Sequence, residues 1–560
     1  MNRRVPIGKQ NFAALRENNY FYVDKTFFIK EWWESGDDTT VILRPRRFGK
    51  TLTMSMMEHF FSVKYAGRAD LFEGLAIWEH EEFRAMQGTY PVINISFASI
   101  KETTYEEALI KFRSIIADVF RQNKYLLDSD NLSSKDKKYL EEAQSYIDNN
   151  IELTEALKKL STLLYQHHGK NVLIFLDEYD TPMQEAFLAG YWNEIVGFIK
   201  NLFNATFKTN PYLERALMTG ITRVSKESIF SDFNHVNLVS TLSVEYTNAI
   251  GFTEEEVFAA LDEYDIEDKA KVKYWYDGFT FGDRSDMYNP WSITRLLRYK
   301  KYECHWANTS RNGLIALVLR QGSLKMKQAM EELLNSGSVR TKVDEQLFYA
   351  SLIGRGSDIS AYSLMLSAGY LTVDKVVDIE RSLYDLRITN HETREMFRNM
   401  IIYWFTEDAP SMYNEFVESL LKGQLREMNY YMRDVVTNVF SFFDVGINAA
   451  ENFYHAFTLG LMVDLRDKYI ITSNRESGLG RYDIMLEPRD ITANDGIIIE
   501  FKVLDEYDEE RDLKDTVTSA LKQIEEKQYE AVLVEKGVPA EKIRKYGFAF
   551  KGKEVLIAEA

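Results

Sequence analysis

Arg44-Pro45-Arg46-Arg47-Phe48-Gly49-Lys50-Thr51 follows an apolar run and leads into a stretch of helical character. Strand, loop and helix in that order aim backbone N–H groups and a helix N-terminus at an anion; a lysine then reaches the outer phosphate oxygens and a hydroxyl holds Mg²⁺. Gly49, Lys50 and Thr51 suit those tasks, and Arg46 and Arg47 add positive charge for a bound nucleotide. The general motif has glycine where Arg44 stands, so the first turn of this loop must differ. Between residues 41 and 68 six basic side chains oppose one acid, a local charge of +5. That excess suits a triphosphate and would serve a nucleic-acid backbone equally. Further on, Asn171–Leu176 is an apolar strand ending in Asp177-Glu178. In ATPases such a strand carries an acid that binds Mg²⁺ through water, here Asp177, and a glutamate that polarises the attacking water, here Glu178. Solvation alone explains many acidic strand ends; the order of the two elements favours the catalytic reading. A third run ends in Thr219-Gly220-Ile221-Thr222-Arg223, where Arg223 either meets the charge of a γ-phosphate or pairs with a surface carboxylate.

A second constellation lies near the C-terminus. The run Gly496–Val503 reads as a buried strand, yet Glu500 and Lys502 sit in it two residues apart and share a face. A buried charge costs several kcal/mol or more unless a counter-charge or a metal compensates it. Asp483, on the preceding strand, reaches Glu500 through a hairpin. Two carboxylates so placed hold Mg²⁺, with Mn²⁺ as a substitute, while Lys502 orients or deprotonates a water nucleophile. Glu451 on the helix before them is a candidate further ligand, and Gln523 on the helix after them would orient the lysine or touch the substrate.

The elements that must position these groups follow from patterning. Residues 40–220 alternate short branched apolar runs (Thr40–Leu43, Pro91–Phe97, Asn171–Leu176, Arg215–Met218) with helical stretches (Tyr105–Leu127, Ile151–His168), which predicts a parallel sheet flanked by helices. After Gly251 the period turns mostly helical, opening on a capping box at Thr253-Glu254-Glu255-Glu256. The aromatic turns Trp275-Tyr276-Asp277-Gly278-Phe279 and Tyr288-Asn289-Pro290-Trp291 read as packing corners rather than ligand contacts. From about residue 440 a helix, three strands, a helix and two strands predict a small separate α/β domain. The expected organisation is an α/β fold in three parts: a parallel sheet domain with the phosphate-binding loop over 1–250, a helical middle over 251–435, and a small α/β domain over 436–560. The 560 residues carry a net charge of −18, which repels a polyanion at long range, so any nucleic-acid contact needs a local basic surface. A single cysteine, Cys304, excludes an internal disulfide and a cysteine zinc site and fits a reducing compartment. With no secretion signal or membrane span in the pattern, the expectation is a cytoplasmic protein without a membrane partner.

Taken together, RPRRFGKT, LIFLDEYDTP, TGITR, YNPWS, and SNRESGLGRYDI followed by IIEFKV resemble the bacterial AAA-ATPase-like proteins that end in a PD-(D/E)XK nuclease domain. The resemblance spans nearly the whole chain, with the motifs in order. It implies a P-loop NTPase (AAA-like) parallel sheet core that binds ATP and Mg²⁺, a helical extension, and a C-terminal restriction-endonuclease-like α/β domain that is a metal-dependent nuclease acting on DNA ahead of RNA, in mobile-element or defence biology. Two functions compete: an ATP-regulated nuclease, and a nucleotide-dependent switch whose nuclease fold only holds nucleic acid or a partner. Oligomeric state stays open.

Overall fold

The computed structural model describes the chain apart from residues 1–2, 224–235, 307–313, 316–317, 320–323, 335–336, 346–357, 398–409, 440–464, 466–467, 478–479, 505–509 and 552–553. It divides into two compact units, 1–323 with 336–394, and 324–335 with 395–560.

The first unit is built on a parallel sheet of β1 (Thr39–Leu43), β2 (Val92–Ser96), β3 (Val172–Asp177), β4 (Leu213–Gly220) and β5 (Val236–Val239), in the order β2-β3-β4-β1-β5. Every residue of β1 and β3 is buried, which is why these strands read as unbroken apolar runs: helices cover both faces of a parallel sheet. β4 separates β1, which leads into the Gly49–Thr51 loop, from the acid-bearing β3, so Thr219 and Gly220 at its end fall between the two candidate motifs. The helix Asn150–His168 starts at Asn149, whose side chain accepts from Ile151 N, and stops at Gly169 with φ +68°, a left-handed cap open to glycine at little cost.

Beyond Gly251, Thr253 and Glu256 form the reciprocal capping box that opens the helix Glu254–Glu263. The middle of the chain also carries short strands that its helical period hid. β6 (Phe252–Thr253), β7 (Phe279–Phe281) and β8 (Arg284–Tyr288) make one small sheet in the order β6-β8-β7. β9 (Val339–Lys342), β10 (Leu371–Asp378) and β11 (Leu383–Ile388) make another, ordered β10-β11-β9. Tyr276 and Tyr288 are buried corners in a core with Val257, Leu261 and Ile293, as aromatic turn sequences predict. Trp291 departs from that expectation, because it lines a cavity.

The second unit holds the sheet β12 (Tyr469–Ser477), β13 (Gly480–Pro488), β14 (Gly496–Val503), β15 (Ile543–Lys551) and β16 (Glu554–Glu559), ordered in sequence. Only β14 and β15 pair in parallel, and the helix Leu513–Glu526 lies in the connection between them. Strand alternation divides the two faces: Ile497, Ile499 and Phe501 join a core with Phe416, Leu420 and Met428 of preceding helices, whereas Ile498 packs with Ile524, Tyr529 and Leu533 on the opposite side. Among the described residues no helix is long and apolar enough to cross a membrane.

Candidate functional sites

Gly49, with φ +100°, caps the helix Lys50–Phe61, and Lys50 and Thr51 are its first two residues. Lys50 is 3% exposed; its ammonium donates to the carbonyls of Arg44 and Pro45, each at 3.1 Å, and lies 3.6 Å from Glu178. The lysine thus folds back over its own loop. Thr51 Oγ1 donates to Asp177 Oδ2 at 2.6 Å, and the Thr219 hydroxyl donates to the other oxygen of the same carboxylate. Burial, and then Glu178, push the Asp177 pKa up, while the two hydroxyls and Lys50 pull it down. Glu178 takes φ +55°, a left-handed conformation rare outside glycine, which marks the strand's end as a strained position.

Arg44 replaces the motif's glycine for a structural reason. Its side chain is fully buried, donates to the carbonyls of Leu43 at 2.9 Å and Ser240 at 2.7 Å, and lies over the Phe281 ring at 4.4 Å. Burial draws its pKa down to about 9, still above neutrality, so the cation persists and ties the loop to the segment after β5. Arg46 donates to Gln184 at 2.7 Å, and Arg47 stands over Trp291. Arg46, Arg47, Gly49, Lys50, Thr51 and Glu178 line one cavity of about 690 Å³ with Pro6, Lys9, Phe21, Lys101, Phe252 and Trp291. Arg223, half-buried, is not among its lining residues; its Nε has no hydrogen-bond partner among the described residues.

Asp180, three residues beyond Asp177, is a contributor that motif reading passes over. It is 1% exposed, and its Oδ2 accepts from Ile221 N, Thr222 N and Thr222 Oγ1 at 2.8–2.9 Å. Tyr179 Oη donates to Thr222 O at 2.7 Å. The residues after the acid pair therefore clamp the turn that leads to Arg223. Gly220 is required there: a Cβ would come within 2.6 Å of the Tyr179 ring and 2.7 Å of Asp180 Oδ1.

In the second unit, the antiparallel pairing of β13 with β14 ends at Ile484 opposite Ile499, and Asp483 and Glu500 are the next residues beyond that end. Asp483 Oδ2 accepts from Phe501 N at 2.8 Å, so its carboxylate reaches the backbone of β14 next to Glu500. Glu500 is 4% exposed, and Gln523 donates to it from the helix packed on that face. Lys502 is half-buried and, two residues along β14, emerges on the Glu500 side. Gln523 Nε2 also meets the Tyr529 hydroxyl at 3.2 Å. Tyr529 is 1% exposed, and burial followed by the charges of Glu500 and Asp483 raises its pKa, so the phenol stays protonated. Asp483, Glu500 and Gln523 thus converge, with Tyr529 as a partner that sequence reading missed; the one hint was a tyrosine shortly after the glutamine. Glu451 lies outside the described residues.

Two stretches of the chain match models of known families. A family model described as a predicted AAA-ATPase matches residues 6–230, and one described as the PD-(D/E)XK nuclease superfamily matches residues 449–560. The "uncharacterized protein in vnfD 5'region" of Azotobacter chroococcum mcd 1 is 26% identical over 417 residues, which cover 73% of this chain and 72% of that protein. The chain is thus similar to the predicted AAA-ATPase family in its N-terminal part and to the PD-(D/E)XK nuclease superfamily at its C-terminal end.

Proposed function

We propose that the chain binds ATP with Mg²⁺ at the Gly49–Thr51 loop, and that nucleotide state regulates metal-dependent cleavage of nucleic acid, DNA ahead of RNA, at Asp483, Glu500 and Lys502. The observation that carries the reading is the approach of two carboxylates from neighbouring strands, one of them almost wholly buried, beside a lysine on the same face. Burying Glu500 at the end of an apolar strand is costly unless a cation is its partner in the working state.

The donor sets fit hard divalent cations, which prefer carboxylate, hydroxyl and water oxygen. Asp483 and Glu500 would hold one, and Thr51 with Asp177 would hold the other beside the nucleotide. A bound divalent ion supplies Lewis acidity and makes water a nucleophile near neutral pH. The protein's own part in cleavage is positional: Gln523 and Tyr529 fix Glu500, the Phe501 amide fixes Asp483, and Lys502 aligns the attacking water and faces the charge that develops on the phosphate. At the other site Lys50 releases its loop carbonyls for the phosphates, Arg46 and Arg47 neutralise the outer charge, and Glu178 orients water.

The test is incubation of the full chain with plasmid, linear duplex, single-stranded DNA and RNA, in Mg²⁺ or Mn²⁺, with and without ATP. Glu500→Gln and Lys502→Ala should each lower metal-dependent cleavage about a hundredfold or more. Lys50→Ala should retain cleavage and lose its response to ATP. Cleavage that survives both nuclease substitutions refutes the assignment. Nucleic-acid binding without cleavage in the unsubstituted protein would leave the nucleotide-switch function in its place.

A further inference from the structure

The segment Tyr288-Asn289-Pro290-Trp291 does more than turn a corner. Asn289 Oδ1 accepts from Trp291 N at 2.9 Å at the start of the helix Pro290–Tyr299, and Trp291 Nε1 donates to His305 O at 3.2 Å. The indole is therefore held at both its backbone and its ring edge. The same region grips the phosphate loop: Arg46 O accepts from Asn289 Nδ2 at 3.3 Å and from Trp306 Nε1 at 3.0 Å. Arg47, the next residue, takes φ +64°, a left-handed conformation that costs a non-glycine residue about 1 kcal/mol or more. That strained backbone directs the side chain to Trp291, whose ring centroid lies 4.0 Å from the guanidinium carbon.

The surroundings of Arg47 are cationic. Arg295 also approaches the Trp291 ring, at 5.9 Å, and burial together with Arg295 and Arg46 presses the Arg47 pKa down. Arg47 and Trp291 both line the cavity that holds Lys50 and Thr51. Like charges gathered on an aromatic face at the rim of a phosphate loop leave a demand for anionic charge, which a polyphosphate meets.

We propose that Trp291 is a positioning residue: its ring holds Arg47 for the outermost phosphate of a nucleoside triphosphate and so makes the site prefer a triphosphate to a diphosphate. The proposal rests on the reading of this cavity as a nucleotide site. Without the ring, the long arginine side chain regains its rotamer freedom, and the outer phosphate must order it anew. A diphosphate, which lacks that outermost phosphate, should not register the change.

The experiment titrates the full chain with AMP-PNP and with ADP, each with Mg²⁺, by calorimetry and by tryptophan emission. Trp291→Leu should lower the preference for AMP-PNP over ADP about tenfold while ADP affinity holds. Trp291→Phe, which keeps an aromatic face, should restore the preference to within about threefold of the unsubstituted protein and abolish the AMP-PNP-dependent part of the emission change. In an Arg47→Met background Trp291→Leu should add nothing, because the two residues act as one unit. Equal weakening of both nucleotides by Trp291→Leu, or additive effects of the two substitutions, overturns the positioning role and leaves the nucleotide site standing. If neither nucleotide binds the unsubstituted protein, the nucleotide reading itself fails and takes this proposal with it.

Discussion

A buried glutamate in an apolar strand is the residue on which the nuclease reading turns, and its neighbours decide whether it is held in one place. Gln523 donates to Glu500 and also meets Tyr529, so a helix residue and a loop residue share the task of fixing one carboxylate. Tyr529→Phe keeps the ring in its apolar surroundings and removes only the hydroxyl. The expected result is about a fivefold fall in metal-dependent cleavage, the worth of one hydrogen bond, with the melting temperature changed by only a few degrees. A cleavage rate equal to that of the unsubstituted protein would remove Tyr529 from the site. The types Asp, Glu and Lys were legible at this scale because a charge in an otherwise apolar strand stands out. Tyr529 and Asp180 were not, since each draws its meaning from a partner 6 to 42 residues away.

At the scale of elements, the alternation of strand and helix announces the parallel sheet, and the observed strand ends fall within a few residues of those the pattern predicts. Strand order was silent in the sequence: that β4 lies between β1 and β3, and so brings Thr219 onto Asp177, depends on crossover connections rather than on any local pattern. The small sheet of β6, β7 and β8 was hidden for a related reason, because strands of two to five residues are too short to express a period. The turn into β7 carries a pH-sensitive element. Glu254, Asp277 and Asp286 surround the Lys273 ammonium at 2.6, 3.6 and 2.9 Å. Burial, and then a hydrogen bond shared with Asp286, push the Asp277 pKa up to about 7. The unfolded carboxyl titrates near 3.9, so between about pH 4 and pH 7 the folded chain binds more protons at this group and loses stability as pH rises. Asp277→Asn should therefore stabilise the protein by about 1 kcal/mol at pH 8 and by progressively less toward pH 4, measured by thermal or denaturant unfolding. A stability difference independent of pH would contradict this account.

For the molecule as a whole, the division into two compact units has a thermodynamic consequence. Each unit carries its own sheet and apolar core, so heating should give two unfolding steps rather than one. AMP-PNP with Mg²⁺ should raise the midpoint of the step that contains the phosphate loop, by about 2.7 kcal/mol of added stability at a hundred times its Kd, and leave the other in place. Calorimetry of the full chain and of Lys50→Ala, in which this shift should vanish, checks both parts. A single transition shifted as one body would instead mean that the units unfold together.

Amino-acid order alone carried the inventory of reactive groups, the alternation that makes an α/β chain, and the face that Glu500 and Lys502 share, because composition, period and spacing are local properties. Which groups meet was decided only by folding. Arg44 became a buried tie to the Ser240 carbonyl, Trp291 a wall of the cavity that Lys50 lines, and Gln523 and Tyr529 the supports of one carboxylate. In each case the partner comes from another element, and hydrogen bonds and ring contacts across such distances follow from packing, which no local spacing encodes.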